Sequence, residues 1–129
     1  MTEWPGPIFA ITLFARDLAA AKVFYERVFG ATSVWQDANS AVFRFGELMV
    51  NLLDARESHD LVHPATASND VGHHHSVITL RVDDVDAEAA RLTELGVALV
   101  TDPVDRPWGI RTLNFADPTG QLWELSADL

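Results

Sequence analysis

Asp117-Pro118-Thr119-Gly120-Gln121-Leu122-Trp123-Glu124-Leu125 is the stretch whose reading decides the fold. Pro118 fixes φ at the second position of a turn, the Asp117 carboxylate can accept bonds from the turn backbone, and Gly120 supplies a permissive φ. Residues 122–125 then read as a short final strand. Its odd member is Glu124, set between Trp123 and Leu125. A carboxylate among core-forming residues is costly unless it is paired, metal-bound or facing a wet cavity. Two readings follow: Glu124 faces solvent on a half-buried strand, or it faces a cleft.

Outward from this stretch, the second half reads backwards as follows. Residues 110–115 form a strand, the run Asp102-Pro103-Val104-Asp105-Arg106-Pro107-Trp108-Gly109 a loop, and residues 97–100 a strand. A helix carrying Val85, Ala89, Leu92 and Leu95 starts at the cap Asp84 and stops at Gly96. Residues 77–82 form the strand before it, preceded by His73-His74-His75-Ser76.

The first half has the same order. After a Pro/Gly-rich opening segment, residues 8–15 read as a strand and Asp17 as a helix cap. Ala21, Phe24, Tyr25, Val28 and Phe29 recur at helical spacing over residues 18–29, with Gly30 as the stop. Residues 31–35, 41–45 and 48–53 read as strands, separated by a turn at 37–40 and by Gly46-Glu47. Residues 54–72 have little periodicity and read as a connector.

The two halves match in residues as well as order. Ile11-Thr12-Leu13 and Ile78-Thr79-Leu80 coincide at one offset, which also pairs Asp17 with Asp84 and Leu18 with Val85. A duplicated βαβββ unit follows, with a period too long for a solenoid. The fold class is therefore α+β: two tandem βαβββ modules, each covering one sheet face with a helix and leaving the other face to a curved cleft. By strand alternation, Ala10, Thr12, Phe14, Met49, Asn51, Leu53, Val77, Thr79, Arg81, Leu122 and Glu124 face that cleft. Ile11, Leu13, Ile78, Leu80, Trp123 and Leu125 pack beneath the helices.

Composition narrows the function. At 129 residues, 48% of them hydrophobic, the chain suits one domain with a real core. With no cysteine it has neither disulfides nor thiolate chemistry. It contains no apolar run long enough to span a membrane and no signal-peptide pattern at residues 1–7, which fits a cytoplasmic protein. A formal net charge of −10 repels nucleic acids and anionic membranes, and leaves either plain solubility or attraction of a cationic partner.

The duplicated unit, the Asp117-Pro118-x-Gly120-x-x-x-Glu124-Leu125 ending and the Phe24-Tyr25-x-x-Val28-Phe29-Gly30 helix end together resemble the vicinal oxygen chelate superfamily. Its members include glyoxalase I, extradiol dioxygenases and the fosfomycin- and bleomycin-resistance proteins. Pro107-Trp108-Gly109, Arg111 and Asp117-Pro118 look most like the bleomycin-resistance branch. The resemblance implies a glyoxalase/bleomycin resistance fold and homodimers. Its metal enzymes carry ligands on the first, fourth, fifth and eighth strands. Carried over, those positions are Ala10, Asn51, Val77 and Glu124, and only Glu124 matches. No metal cofactor is therefore expected. The alternative is a divalent metal held by a rearranged set, Glu124 with His75 and Asn51, supporting a lyase, isomerase or dioxygenase. The plain alternative for residues 73–75 is a solvated lead-in to the strand.

The expected ligand cleft comprises Phe14, Trp35, Phe43, Asn51, Trp108, Gly109, Arg111 and Glu124. An apolar pocket with a few polar groups is the default small-molecule site. Trp35 and Phe43 read equally well as core. Trp108, between Pro107 and Gly109, has less reason to be core, and in the resembling proteins the matching Trp-Gly lies near the ligand groove. Arg111 pairs with Glu124, pairs with a ligand carboxylate, or faces solvent. The expected partner is a small cationic or aromatic molecule bound in the cleft.

Overall fold

In a computed structural model that describes residues 4–68 and 74–129, the chain divides into two units, Met1–Asn69 and Asp70–Leu129. The first runs β1 (Ala10–Ala15), α1 (Leu18–Arg27), β2 (Ser33–Gln36), β3 (Ser40–Phe45) and β4 (Leu48–Asp54), then a 3-10 turn (Ala55–Glu57) and α2 (Ser58–Val62). The second runs β5 (Val77–Arg81), α3 (Val85–Glu94), β6 (Leu99–Arg106), β7 (Ile110–Ala116) and β8 (Leu122–Asp128).

Each unit builds one four-stranded mixed sheet, in the orders β1-β4-β3-β2 and β5-β8-β7-β6. The first and last strands of each unit pair in parallel, and the other pairs are antiparallel. The duplicated α+β architecture read from the sequence is the architecture found. The repeat extends to the caps. The Asp17 carboxylate accepts from the Ala20 N–H and the Asp84 carboxylate from the Ala87 N–H, both at 3.0 Å. Each bond satisfies one of the donors that a helix start leaves unpaired. Gly30 and Gly96, past the two helix ends, take φ of 61° and 81°, a region that favours glycine.

The core of each unit lies between its sheet and its long helix. In the first, Val50, Leu52, Ala41 and Phe43 are buried with Ala21 and Tyr25 of α1. The Tyr25 ring lies 5.0 Å from Phe29, 5.4 Å from Phe43 and 5.9 Å from Phe45 between centroids, an edge-to-face and tilted cluster. Phe43 is thus core on the helix side, which corrects its placement in the cleft. It pairs across with Val50, whereas its neighbour Val42 pairs with Asn51, so Phe43 and Asn51 point to opposite faces. In the second unit, Leu113, Phe115, Trp123 and Leu125 are buried with Val85 and Leu92 of α3. Full burial of side chains this size contributes about 1.5–3 kcal/mol each.

Several boundaries differ from the sequence reading. Residues 102–106, expected as loop, belong to β6, which starts at Leu99 rather than 97. Pro103 is accommodated because β6 is an edge strand whose register shifts between Thr101 and Val104. The connector contains helical turns, since Asp54 caps the 3-10 turn by accepting from the Arg56 N–H at 2.9 Å. β8 runs three residues beyond Leu125, while β1 starts at Ala10 and leaves Ile8 and Phe9 exposed.

Candidate functional site

The helix-free face of each sheet carries one row of residues set by register. In the second unit the row is Thr79, Glu124, Asn114 and Thr101, one from each strand. The Thr79 hydroxyl donates to Glu124 Oε1 at 3.0 Å, and Glu124 is half-buried. Asn114, 9% exposed, is held at both ends: its Oδ1 accepts from the Thr101 hydroxyl at 2.8 Å, and its Nδ2 donates to the Trp123 carbonyl at 3.2 Å. Glu124 is the one acid in a row of neutral polar groups. It can accept a hydrogen bond from a cation or an N–H donor arriving from this side.

The matching row of the first unit is Thr12, Asn51, Val42 and Trp35. Asn51 Nδ2 lies 3.5 Å from the Thr12 hydroxyl, and Asn51 Oδ1 is buried without a hydrogen-bond partner. Turning the amide over only exchanges which end is poorly served. A buried acceptor left unpaired costs about 1–3 kcal/mol. Phe14 pairs with Leu53 on the same face and is half-buried, and Trp35 on the edge strand is 56% exposed.

The tip of the β6–β7 hairpin is Pro107-Trp108-Gly109. Gly109, at φ 90°, donates its N–H to the Arg106 carbonyl at 3.1 Å. This is a three-residue hairpin loop with glycine at its left-handed position. It leaves the Trp108 ring 68% exposed. Arg111 does not join Glu124. Its Nε and Nη2 each donate to Asp86 of α3 at 3.0 Å, and its Nη1 donates to Asp105 at 2.8 Å. Arg111 shares the helix-covered face with Leu113 and Phe115, opposite Asn114, so strand alternation rules out pairing with Glu124, one of its three expected alternatives.

The expected metal positions hold a poor donor set. Ala10 and Val77 carry no donor atom, and His75 is exposed two residues before β5. His73 lies outside the described residues. Among the described residues no three His, Asp or Glu side chains gather to hold an ion. The residues at the four strand positions do not fit the metal set that the resemblance implies.

Sequence reasoning missed Asn114 and the first unit's charged cavity. The alternation of Thr112 and Asn114 with Leu113 and Phe115 in β7 was the available signal for Asn114. The cavity, about 340 Å³ and lined by Arg16, Asp54, Ala55 and Arg56, sits at the C-terminal ends of β1 and β4. There the Arg56 guanidinium grips both oxygens of Asp54, at 3.0 and 2.7 Å, and holds its carboxyl down at about 2.

The sequence profile of the Glyoxalase/Bleomycin resistance protein/Dioxygenase superfamily matches residues 8–125, and the chain belongs to that superfamily. Its fold is similar to a crystal structure of a glyoxalase/bleomycin resistance protein/dioxygenase from Nocardioides. The identity is 25% and the TM-score 0.84, over 99% of this chain and 87% of the other. It is also similar to a lactoylglutathione lyase from Agrobacterium tumefaciens, at 27% identity and TM-score 0.76, over 95% and 94% of the two chains. A glyoxalase-related enzyme from Fulvimarina pelagi shares the fold at 22% identity and TM-score 0.80, over 95% and 88%. No functionally curated protein matches the sequence. Among the described residues no helix is long and apolar enough to cross a membrane.

Proposed function

We propose that this chain is a small-molecule-binding member of its superfamily, of the bleomycin-resistance kind, acting as a cytoplasmic homodimer without a resident catalytic metal. One observation carries the reading: Ala10 and Val77, at two of the four strand positions where the family's metal enzymes hold ligands, have no donor atom. The ligand is a small planar or cationic molecule. Glu124, steadied by Thr79, meets its positive charge, and the exposed Trp108 ring of the same unit offers a π face to a cation or an aromatic group. The unmet acceptor of Asn51 belongs to the first unit's own sheet face and is a separate position for an N–H donor.

The test is metal content of untagged, dialysed protein by plasma mass spectrometry, beside Glu124→Ala, followed by tryptophan-fluorescence titration with planar aromatic cations and their neutral counterparts. The expected result is no metal that depends on Glu124, and saturable quenching that the cationic members produce and Trp108→Phe weakens. A stoichiometric metal lost in Glu124→Ala would overturn the reading and restore a metal enzyme using Glu124 and His75.

A further inference from the structure

The connector helix α2 carries His59, and His63, four positions on, caps its C-terminal end. Residues at i and i+4 project from one helix face. The His63 N–H donates to the His59 carbonyl at 3.0 Å, so the turn joining them is closed. Their imidazole rings stand 4.6 Å apart between centroids and are inclined at 65°. Both residues are exposed.

We propose that His59 and His63 form a two-histidine chelate for a borderline divalent cation of the Zn²⁺, Ni²⁺ or Cu²⁺ class. With metal–nitrogen bonds of about 2.1 Å, two imidazoles on one ion at right-angle to tetrahedral angles have ring centres roughly 4.5–5.2 Å apart. The 4.6 Å between the two ring centres lies in that range. Imidazole nitrogen selects these metals over Ca²⁺ and Mg²⁺, which prefer oxygen. Glu57 precedes the pair and Asp60 lies between its two members, two of the acids behind the chain's net charge of −10.

Two protein donors leave positions open on the ion, and among the described residues no third His, Asp or Glu completes a group. Water or a donor from outside the chain takes those positions. The chelate also has a structural consequence. A five-residue helix is too short to be stable alone, and a metal bridging its single complete turn ties it closed. The site lies in the connector and not on either helix-free sheet face, so it stands or falls apart from the small-molecule reading.

The test uses untagged full-length protein and Zn²⁺ in competition with a chromophoric chelator. The variants are His59→Ala, His63→Ala and the double variant His74→Ala/His75→Ala, which removes two histidines of the other run. The expected result is one ion per chain, with affinity lowered about tenfold or more in either single variant and unchanged in the double variant. In the unaltered protein, the ring C–H resonances of His59 and His63 shift together on Zn²⁺ addition. Unchanged affinity in both single variants, loss of binding in the double variant, or no shift of the two resonances up to millimolar Zn²⁺ would each overturn the assignment. Far-UV circular dichroism of the apo variants checks that they remain folded.

Discussion

The Trp123 indole N–H donates to Asp117 Oδ2 at 3.0 Å, and both residues are buried. The other carboxylate oxygen, Oδ1, accepts from the Thr119 N–H and hydroxyl and from the Gln121 N–H, at 2.7, 2.5 and 3.2 Å. One side chain therefore shapes the turn before β8 and ties it to the largest ring of the second unit's core. Asp117→Ala strands the buried Trp123 N–H and removes the acceptor of the part-buried Thr119 and Gln121 donors, and unpaired buried donors are costly. The expected loss is about 3 kcal/mol of unfolding free energy, read from urea denaturation. Trp123→Phe keeps most of the ring but removes the N–H, and should cost less. A double-mutant cycle should show coupling between the two positions.

Arg111 marks where sequence reading stops. The βαβββ repeat, the caps at Asp17 and Asp84 and the helix-free placing of Asn51 and Glu124 were legible, because turn chemistry and alternation are local. The partners of Arg111 were not, since Asp86 lies 25 positions away on a helix whose orientation no spacing reports. Phe43 failed for a related reason. Its face depends on where β3 pairs with β4, and the run Ser40–Phe45 is apolar enough to read either way. Trp123 and Asp117 were both singled out from sequence, but the bond between them needs the chain to fold back. The prediction is that Arg111→Met leaves binding of aromatic cations unchanged in the fluorescence titration. It should lower stability by no more than about 1 kcal/mol, because its carboxylate partners are largely exposed.

Acid sensitivity should report on Asp54. Its carboxyl is held at about 2, below its ordinary 3.8, first by the side-chain hydrogen bonds from Arg56 and then by the Arg56 backbone N–H. A carboxyl lowered in the folded state contributes stability that is fully present above its unfolded value and lost as pH falls through the folded one. The contribution of Asp54 is therefore intact at neutral pH and disappears between about pH 4 and pH 2. Asp54→Asn should flatten part of the decline of Tm over that interval and leave its slope above pH 5 unchanged. Some decline should persist, because Asp37 and Asp86 are also held low, by the Asn39 backbone and by Arg111 respectively. An identical acid limb in the variant would show that the Asp54–Arg56 pair does not contribute.

Asn51 offers the sharpest separation of stability from binding. Its Oδ1 is buried without a partner, beside Val42 and Thr12 on the helix-free face. A residue kept only for packing would gain from becoming apolar, since removing an unpaired acceptor relieves its desolvation cost. Asn51→Leu should therefore raise unfolding free energy by about 1 kcal/mol. If the acceptor meets a ligand N–H, the same substitution should weaken binding of N–H-bearing aromatic cations about tenfold, an interaction loss of about 1.4 kcal/mol. Glu124→Gln complements it in the second unit. The amide oxygen can still accept from Thr79, so Tm should hold, while the lost charge lowers affinity for cations and spares neutral analogues. A stabilised Asn51→Leu that binds every probe as well as the parent would assign the orphan acceptor no part in recognition.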